Sequence, residues 1–272
     1  MDIRSILLHL DAAPASIGRL TLAHGLADRF DARITVMFGT AADAAQPAFA
    51  YSAAAALQAA EAREGQHDME RARLQAAHRK RADEGIWCDV RGDLVHALVA
   101  EAAYADLLVL GPPTNMNGPD AAPSGVVEAA IPRVATPALV VPHPHCQQTL
   151  GDRVLIAWDG SLHAGRAVRA SLPFLRHAAE VHIATWSRQP VSAPFSRLGL
   201  PEWLQRHEIV AQSHRRDPGP HVGDALCAMA KELQADLIVM GCYGHGALRE
   251  RVFGGATRSV LATLPAPVLM AH

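Results

Sequence analysis

Aromatic side chains are scarce in this sequence: they make up 5% of its 272 residues, while alanine is abundant. That disfavours an aromatic-rich β-sandwich and favours thin packing of helices on a sheet. An excess of one charge is also missing. Lys plus Arg number 25 against 27 Asp plus Glu, a formal net charge of −2. Neither a basic footprint for nucleic acid nor an acidic tail is expected. No apolar run approaches the length of a membrane-spanning helix, so no membrane partner is expected. The N-terminus, MDIRSILLHLD, lacks the basic stretch, apolar core and small-residue cleavage site of a secretory signal. The four cysteines, Cys88, Cys146, Cys227 and Cys242, form no CxxC pair. Free thiols and a cytoplasmic location are the expectation.

Motifs of several enzyme classes are absent as well. There is no GxSxG nucleophile elbow, no HExxH, no SGGxDS or HIGH loop, and no suggestive pair of carboxylates. The segment His143-Pro-His145-Cys146 invites a metal reading. Two histidines and one thiol in a polar linker lack the paired ligand spacing of structural zinc sites, so no metal is expected.

What the sequence has is a 50% share of hydrophobic residues, enough chain for two domains, and an internal repeat. ADLLVL at 105–110, followed by Gly111, recurs 130 residues later as ADLIVM at 235–240, followed by Gly241. The same offset pairs Ser124 with Gly254, Gly125 with Gly255 and Pro137 with Pro267. Upstream, ILLHLDAAPASIGR (6–19) resembles VLIAWDGSLHAGR (154–166), each an apolar run, an aspartate, small residues and then Gly-Arg. Second strands are expected at ARITVMF (32–38) and AEVHIATW (179–186). A long helix is expected within 49–83, one helix within 196–207, a third strand of the second half at 208–215, and a helix at 225–233. Nearly continuous apolar strands alternating with helices imply βαβ units around a parallel sheet covered on both faces. The polar stretch 143–152 reads as a linker and divides the chain into domains at 1–145 and 150–272.

The chemistry lies in MGCYGHGALRERVFGGATRSVL, residues 240–261. Gly241 follows the buried strand, Gly244 and Gly246 come next, and Gly254 and Gly255 precede a helix beginning near Ala256. Glycines let a ligand approach the backbone, and the free N–H groups and dipole of a helix start favour an anion, usually phosphate. Thr257 can add a hydroxyl donor, and Arg249 and Arg251 can neutralise charge. Neither the GxxxxGK[ST] loop nor the GxGxxG fingerprint is present, so these residues alone argue for a phosphate-bearing ligand and no more.

Gly241-x2-Gly244-x9-Gly254 resembles the ATP-binding signature G-x2-G-x9-G-[S/T] of the universal stress protein family, and the resemblance extends over the whole chain as two consecutive domains. It implies an α/β fold of two tandem five-stranded parallel-sheet, adenine-nucleotide-binding, Rossmann-like sandwich domains. It places a nucleotide at the carboxyl ends of the first and fourth strands, where open α/β sheets bind ligands. Asp159 is then implied to face the ribose and adenine, Ala157 to line the base pocket, and backbone groups at Trp186 to read the adenine edge. Met240, Gly241, Gly244, Gly246, Gly254, Gly255, Ala256 and Thr257 are implied to surround ribose and phosphates. Gly255 stands where the signature has Ser or Thr, which removes a hydroxyl and keeps a backbone donor.

The cofactor so implied is ATP, ADP or AMP, with Mg²⁺ a candidate counter-ion. The role implied is a regulatory or stress-response protein acting through an unidentified protein partner; a slow ATPase or adenylyl-transfer enzyme is the alternative. In the first half the aligned loop reads Gly111-Pro-Pro-Thr114, with Met116 at a glycine position. Pro112 and Pro113 remove two donors, so that half is expected to keep Asp11 and to have lost nucleotide binding. Single family domains pair through their last strands. An intramolecular pseudo-dimer through 138–142 and 267–271 is therefore expected, with a homodimer of the full chain left open.

Overall fold

The computed structural model describes residues 2–39, 53–80, 85–112, 125–143, 150–187, 198–217, 219, 221–242 and 255–272, with side chains from residue 64 onward in the second of these segments. The first half supplies β1 Ser5–Leu10, α1 Ser16–Phe30, β2 Arg33–Phe38, α2 Ala53–Arg79, β3 Ile86–Asp89, α3 Leu94–Ala102, β4 Leu107–Leu110, α4 Val126–Ala130 and β5 Ala138–Val140. The second supplies β6 Arg153–Ala157, α5 Leu162–Leu175, β7 Glu180–Trp186, α6 Leu200–Gln205, β8 Gln212–Arg216, α7 Val222–Glu232, β9 Leu237–Gly241, α8 Gly255–Thr263 and β10 Val268–Ala271. The expected strands at 32–38 and 179–186 are β2 and β7; the one expected at 208–215 begins only at Gln212, as β8, because Glu208 turns the chain with a positive φ of 65°. The short strand β3 was not expected: IWCD has only four residues, and its Ile86 is an exposed apolar residue on the sheet edge, so neither length nor alternation announces it.

The ten strands form one sheet in the order β3-β2-β1-β4-β5-β10-β9-β6-β7-β8. Every pairing within a half is parallel; β5 and β10 meet antiparallel, with Leu139 opposite Leu269. Those two leucines are 130 residues apart, the repeat offset, so a pseudo-twofold axis passes between them. A two-fold perpendicular to the sheet keeps faces equivalent. Accordingly one apolar cluster joins α1 and α5 to the residues Ile6, Leu8, Val154 and Ile156, and the other joins α3, α4, α7 and α8 to Leu7, Leu108, Leu155 and Ile238.

The aspartates of the two ADL repeats act as clasps. Asp106 Oδ2 accepts the amides of Arg4 (2.9 Å) and Ser5 (3.0 Å). Asp236 accepts those of Gly151, Asp152 and Arg153, at 2.9–3.1 Å. Each carboxylate thereby satisfies the backbone donors at the entry of its half's first strand, next to the strand that follows it in the sheet. In each half the chain reverses direction across the sheet between the first and fourth strands, β1/β4 and β6/β9. That leaves a crevice at their carboxyl ends.

Candidate functional site

In the second half, β6 and β9 run side by side with Ala157 opposite Met240, and Ala157 also pairs with Ala184 of β7. Ala157, Ala184, Met240 and Trp186 belong to the cluster on the α7/α8 side, so together they form an apolar shelf at the carboxyl end of the sheet. Beyond it the chain turns at Asp159. Gly160 takes a positive φ of 75°, and the Ser161 amide donates to Asp159 Oδ1 at 2.9 Å. Ser161 then caps α5, its hydroxyl accepting the Ala164 amide. Asp159 is left exposed at the mouth of the crevice, without a cationic partner among the described residues.

Two close approaches shape the crevice. A Cβ at Gly241 would lie 2.5 Å from the Ala164 nitrogen and 2.6 Å from the His163 carbonyl carbon, so the start of α5 is seated on the end of β9. A Cβ at Gly223 would lie 2.6 Å from Ser259 Cβ and 2.8 Å from the Ala256 Cα, so α7 and α8 begin in contact. Two helix N-termini thus stand together, and the first amides of a helix have no partner within it. Gly223 was not singled out from the sequence; its place at the start of a helix beside the Pro-Gly loop was the available signal. Among the described residues nothing lies within 4 Å of the Cβ position of Gly255, at the start of α8. Thr257 is 5% exposed and shares the buried face of α8 with Val260 and Leu261. Gly244, Gly246 and Gly254, together with Arg249 and Arg251, lie outside the described residues. Cys242 is 1% exposed, and burial pushes its thiol up to about 12, which suits a packing residue rather than a nucleophile.

The equivalent crevice of the first half is occupied by the protein's own charges. Arg19 is 3% exposed. Its Nε donates to the His9 carbonyl (3.0 Å), and its Nη2 donates to Asp11 (3.1 Å) and Ser16 Oγ (2.9 Å). Nη1 fills the space into which a Cβ at Gly111 would project. Burial pushes the Asp11 carboxyl up, but the Arg19 charge and the Ser16 hydroxyl outweigh it and hold the group below its usual value. At the start of α4, Glu128 is 7% exposed and folds back over Gly125. One of its oxygens is buried without a hydrogen-bond partner among the described residues, and burial pushes its carboxyl up. The second half has other residues at these positions. Asp11 and Asp159 are 148 residues apart, and that offset sets Arg19 against buried Ala167; the offset of 130 sets Glu128 against exposed Arg258.

The Gly-Arg likeness between the halves therefore does not extend to structure. Arg19 is buried, whereas Arg166 is exposed and donates to the His272 carbonyl.

The model of the universal stress protein family matches residues 151–272, the half whose loop keeps the glycines. A universal stress protein of Thermus aquaticus, encoded 3′ of a QAH/OAS sulfhydrylase, is 32% identical over 132 residues, spanning 43% of this chain and 96% of that protein. Among solved structures, a universal stress protein of Archaeoglobus fulgidus superposes with a TM-score of 0.69 at 20% identity, covering 98% of this chain and 97% of its own. A Pseudomonas aeruginosa PAO1 protein of unknown function does so at 0.57 and 16% identity, covering 99% and 92%. At such identities these two likenesses show the two-halved fold alone. The Thermus relative shows more: this chain belongs to the universal stress protein family.

Proposed function

We propose that the chain is a regulatory protein that binds one adenine nucleotide, ATP, ADP or AMP, in its second half and passes the bound state to a protein partner. The observation that carries this reading is the contrast between the two crevices. In the first, a guanidinium and a carboxyl stand where a ligand's ribose and phosphates would lie. In the second, those positions are Ala167 and Arg258, Asp159 has no cationic partner among the described residues, and two helix starts converge. Asp159 is suited to accept from ribose hydroxyls, and Ala157, Met240 and Trp186 to flank the base. The amides at Gly255 and Ala256 suit the phosphates, where the exposed Arg258 adds charge. Mg²⁺, if bound, would be held by the phosphates.

Calorimetry of the full chain with ATP tests this, and mass spectrometry of ligand released on denaturation identifies the physiological nucleotide. The expected stoichiometry is one per chain. Asp159→Ala is expected to weaken binding by about 2 kcal/mol, as a hydrogen bond to a charged group commonly contributes, and Asp11→Ala to leave affinity unchanged. Thr257→Val, which keeps the side chain's shape, is expected to cost about 1 kcal/mol if its hydroxyl serves the phosphates. A stoichiometry of two would show that both halves bind, and loss of binding in Asp11→Ala with none in Asp159→Ala would place the site in the first half; either overturns the reading. Hydrolysis requires a positioned water and a group to activate it, and no described side chain at the crevice offers an evident base. Turnover is expected well below the roughly 1–100 s⁻¹ of kinases.

A further inference from the structure

Helices α1 and α5 occupy equivalent places on one face of the sheet, so their flanks should look alike, and they do not. At the offset of 148 residues, Gly18, Thr21 and Leu22 of α1 correspond to Arg166, Arg169 and Ala170 of α5. On the opposing wall, the offset of 130 sets Thr263 against Arg133. Beside α5, where an alanine replaces a leucine, lies a cleft of about 610 Å³ between the halves. Such a volume is within the range of roughly 300–1,000 Å³ typical of small-molecule sites. Ile3 and Val134 of the first half and Ala170 and Pro173 of the second supply apolar walls, and the three arginines line the same cleft.

The charges there do not cancel. Asp2 and Asp106 are the carboxylates of the lining, and Asp106 already accepts the amides of Arg4 and Ser5. Arg169 is held with its guanidinium carbon 5.5 Å above the Trp203 ring, and Arg166 is tied by one nitrogen to the His272 carbonyl. Each keeps further N–H donors, and Arg133 pairs with no group among the described residues. Guanidinium forks over an apolar wall recognise an oxyanion carried on a hydrocarbon body.

We propose that this cleft is a second ligand site, separate from the nucleotide crevice, for a small amphipathic anion: a carboxylate with an aliphatic body. The reading does not depend on what the nucleotide site binds. The test is calorimetry of the full chain with decanoate below its micellar concentration, with decanol as the uncharged control. Decanoate is expected to bind once per chain, and decanol about tenfold more weakly or worse, since guanidinium hydrogen bonds to a carboxylate are charge-assisted and those to an alcohol are not. Ala170→Leu restores the residue of the counterpart flank, fills the cleft and is expected to weaken decanoate about tenfold while leaving ATP stoichiometry unchanged. Arg133→Thr, at an exposed residue and so harmless to folding, is expected to weaken decanoate about fivefold and decanol not at all. Absence of decanoate binding at millimolar concentration, equal binding of decanol, or binding indifferent to both substitutions would overturn the proposal.

Discussion

At Arg19 a single side chain decides what a crevice can hold. A buried guanidinium that loses its carboxylate is left uncompensated, and breaking such a pair commonly costs about 3–5 kcal/mol. Arg19→Met is expected to fall at the low end, because Asp11 is 27% exposed on its side chain and can take up water. Urea unfolding measures this directly, and a loss under 1 kcal/mol would mean that the pair is not structural. The neighbouring His9 adds a pH dependence. Burial first, and the Arg19 charge second, lower its pKa from 6.5 to about 4, while its Nε2 sits 3.0 Å from the Gly39 carbonyl. The unfolded chain binds a proton there from pH 6.5 downward and the folded chain does not, so folding stability falls as the pH drops from 6.5 to 4. The loss attributable to His9 is on the order of 3 kcal/mol over that window. Asp11, whose folded pKa is depressed, contributes stability above the ordinary carboxylate range and loses it only as the pH falls through its folded value. Comparing wild type with His9→Gln at pH 7 and pH 4.5 isolates the histidine. The wild type should lose about 2–3 kcal/mol relative to the variant, and parallel behaviour of the two proteins would refute the assignment.

Among the elements, the contact between α7 and α8 is the one the second crevice depends on. Gly223→Ala would push a methyl into Ser259 and the backbone of Ala256, and no flexible side-chain end is there to yield. The expected destabilisation is about 1–3 kcal/mol, as for other overpacked cores, together with a loss of nucleotide affinity because the two helix starts are forced apart. Unfolding midpoints and calorimetry on the same variant separate the two effects. This contact illustrates which elements were legible in the sequence. Strands such as β4 and β9 announce themselves, because burial on both faces requires continuous apolar runs, and the repeat of ADL follows from the clasp each aspartate forms. The turn at Asp159 and the glycine-flanked helix start were legible for the same reason: local chemistry demands those residue types. The occupancy of the first crevice was not. Arg19 and Arg166 both follow a glycine, and nothing local tells which of them turns inward. That depends on helix phase relative to the sheet, as does the seating of Gly223 on Ser259, a contact that the fold creates between residues distant in sequence.

For the whole molecule, the join at β5 and β10 is what turns two small sheets into one. Val140, Leu139 and Ala138 face Val268, Leu269 and Met270, all of them buried, and Leu139 and Leu269 lie on the axis. Cutting the chain between the halves would expose a flat apolar strand edge on each fragment, with unpaired backbone donors and acceptors, and such edges recruit another strand. Because the join is antiparallel and the axis runs through equivalent residues, each fragment can close the edge with a second copy of itself: β10 against β10, or β5 against β5. A closed two-fold pair leaves no further edge of that kind. Residues 150–272 expressed alone are therefore expected to form a dimer that retains one nucleotide per copy, since the crevice between β6 and β9 lies wholly within this half. Residues 1–145 alone are expected to dimerise or aggregate without binding nucleotide. Sedimentation across a concentration series distinguishes the outcomes, and two fragments that stay folded monomers at high concentration would show that the join does not hold the sheet together. Met270→Pro supplies the complementary test in the intact chain: Pro267 and Ala271 turn their carbonyls to β9, so the N–H of Met270, opposite Ala138, points to β5, and its loss should separate the halves more than it unfolds either one.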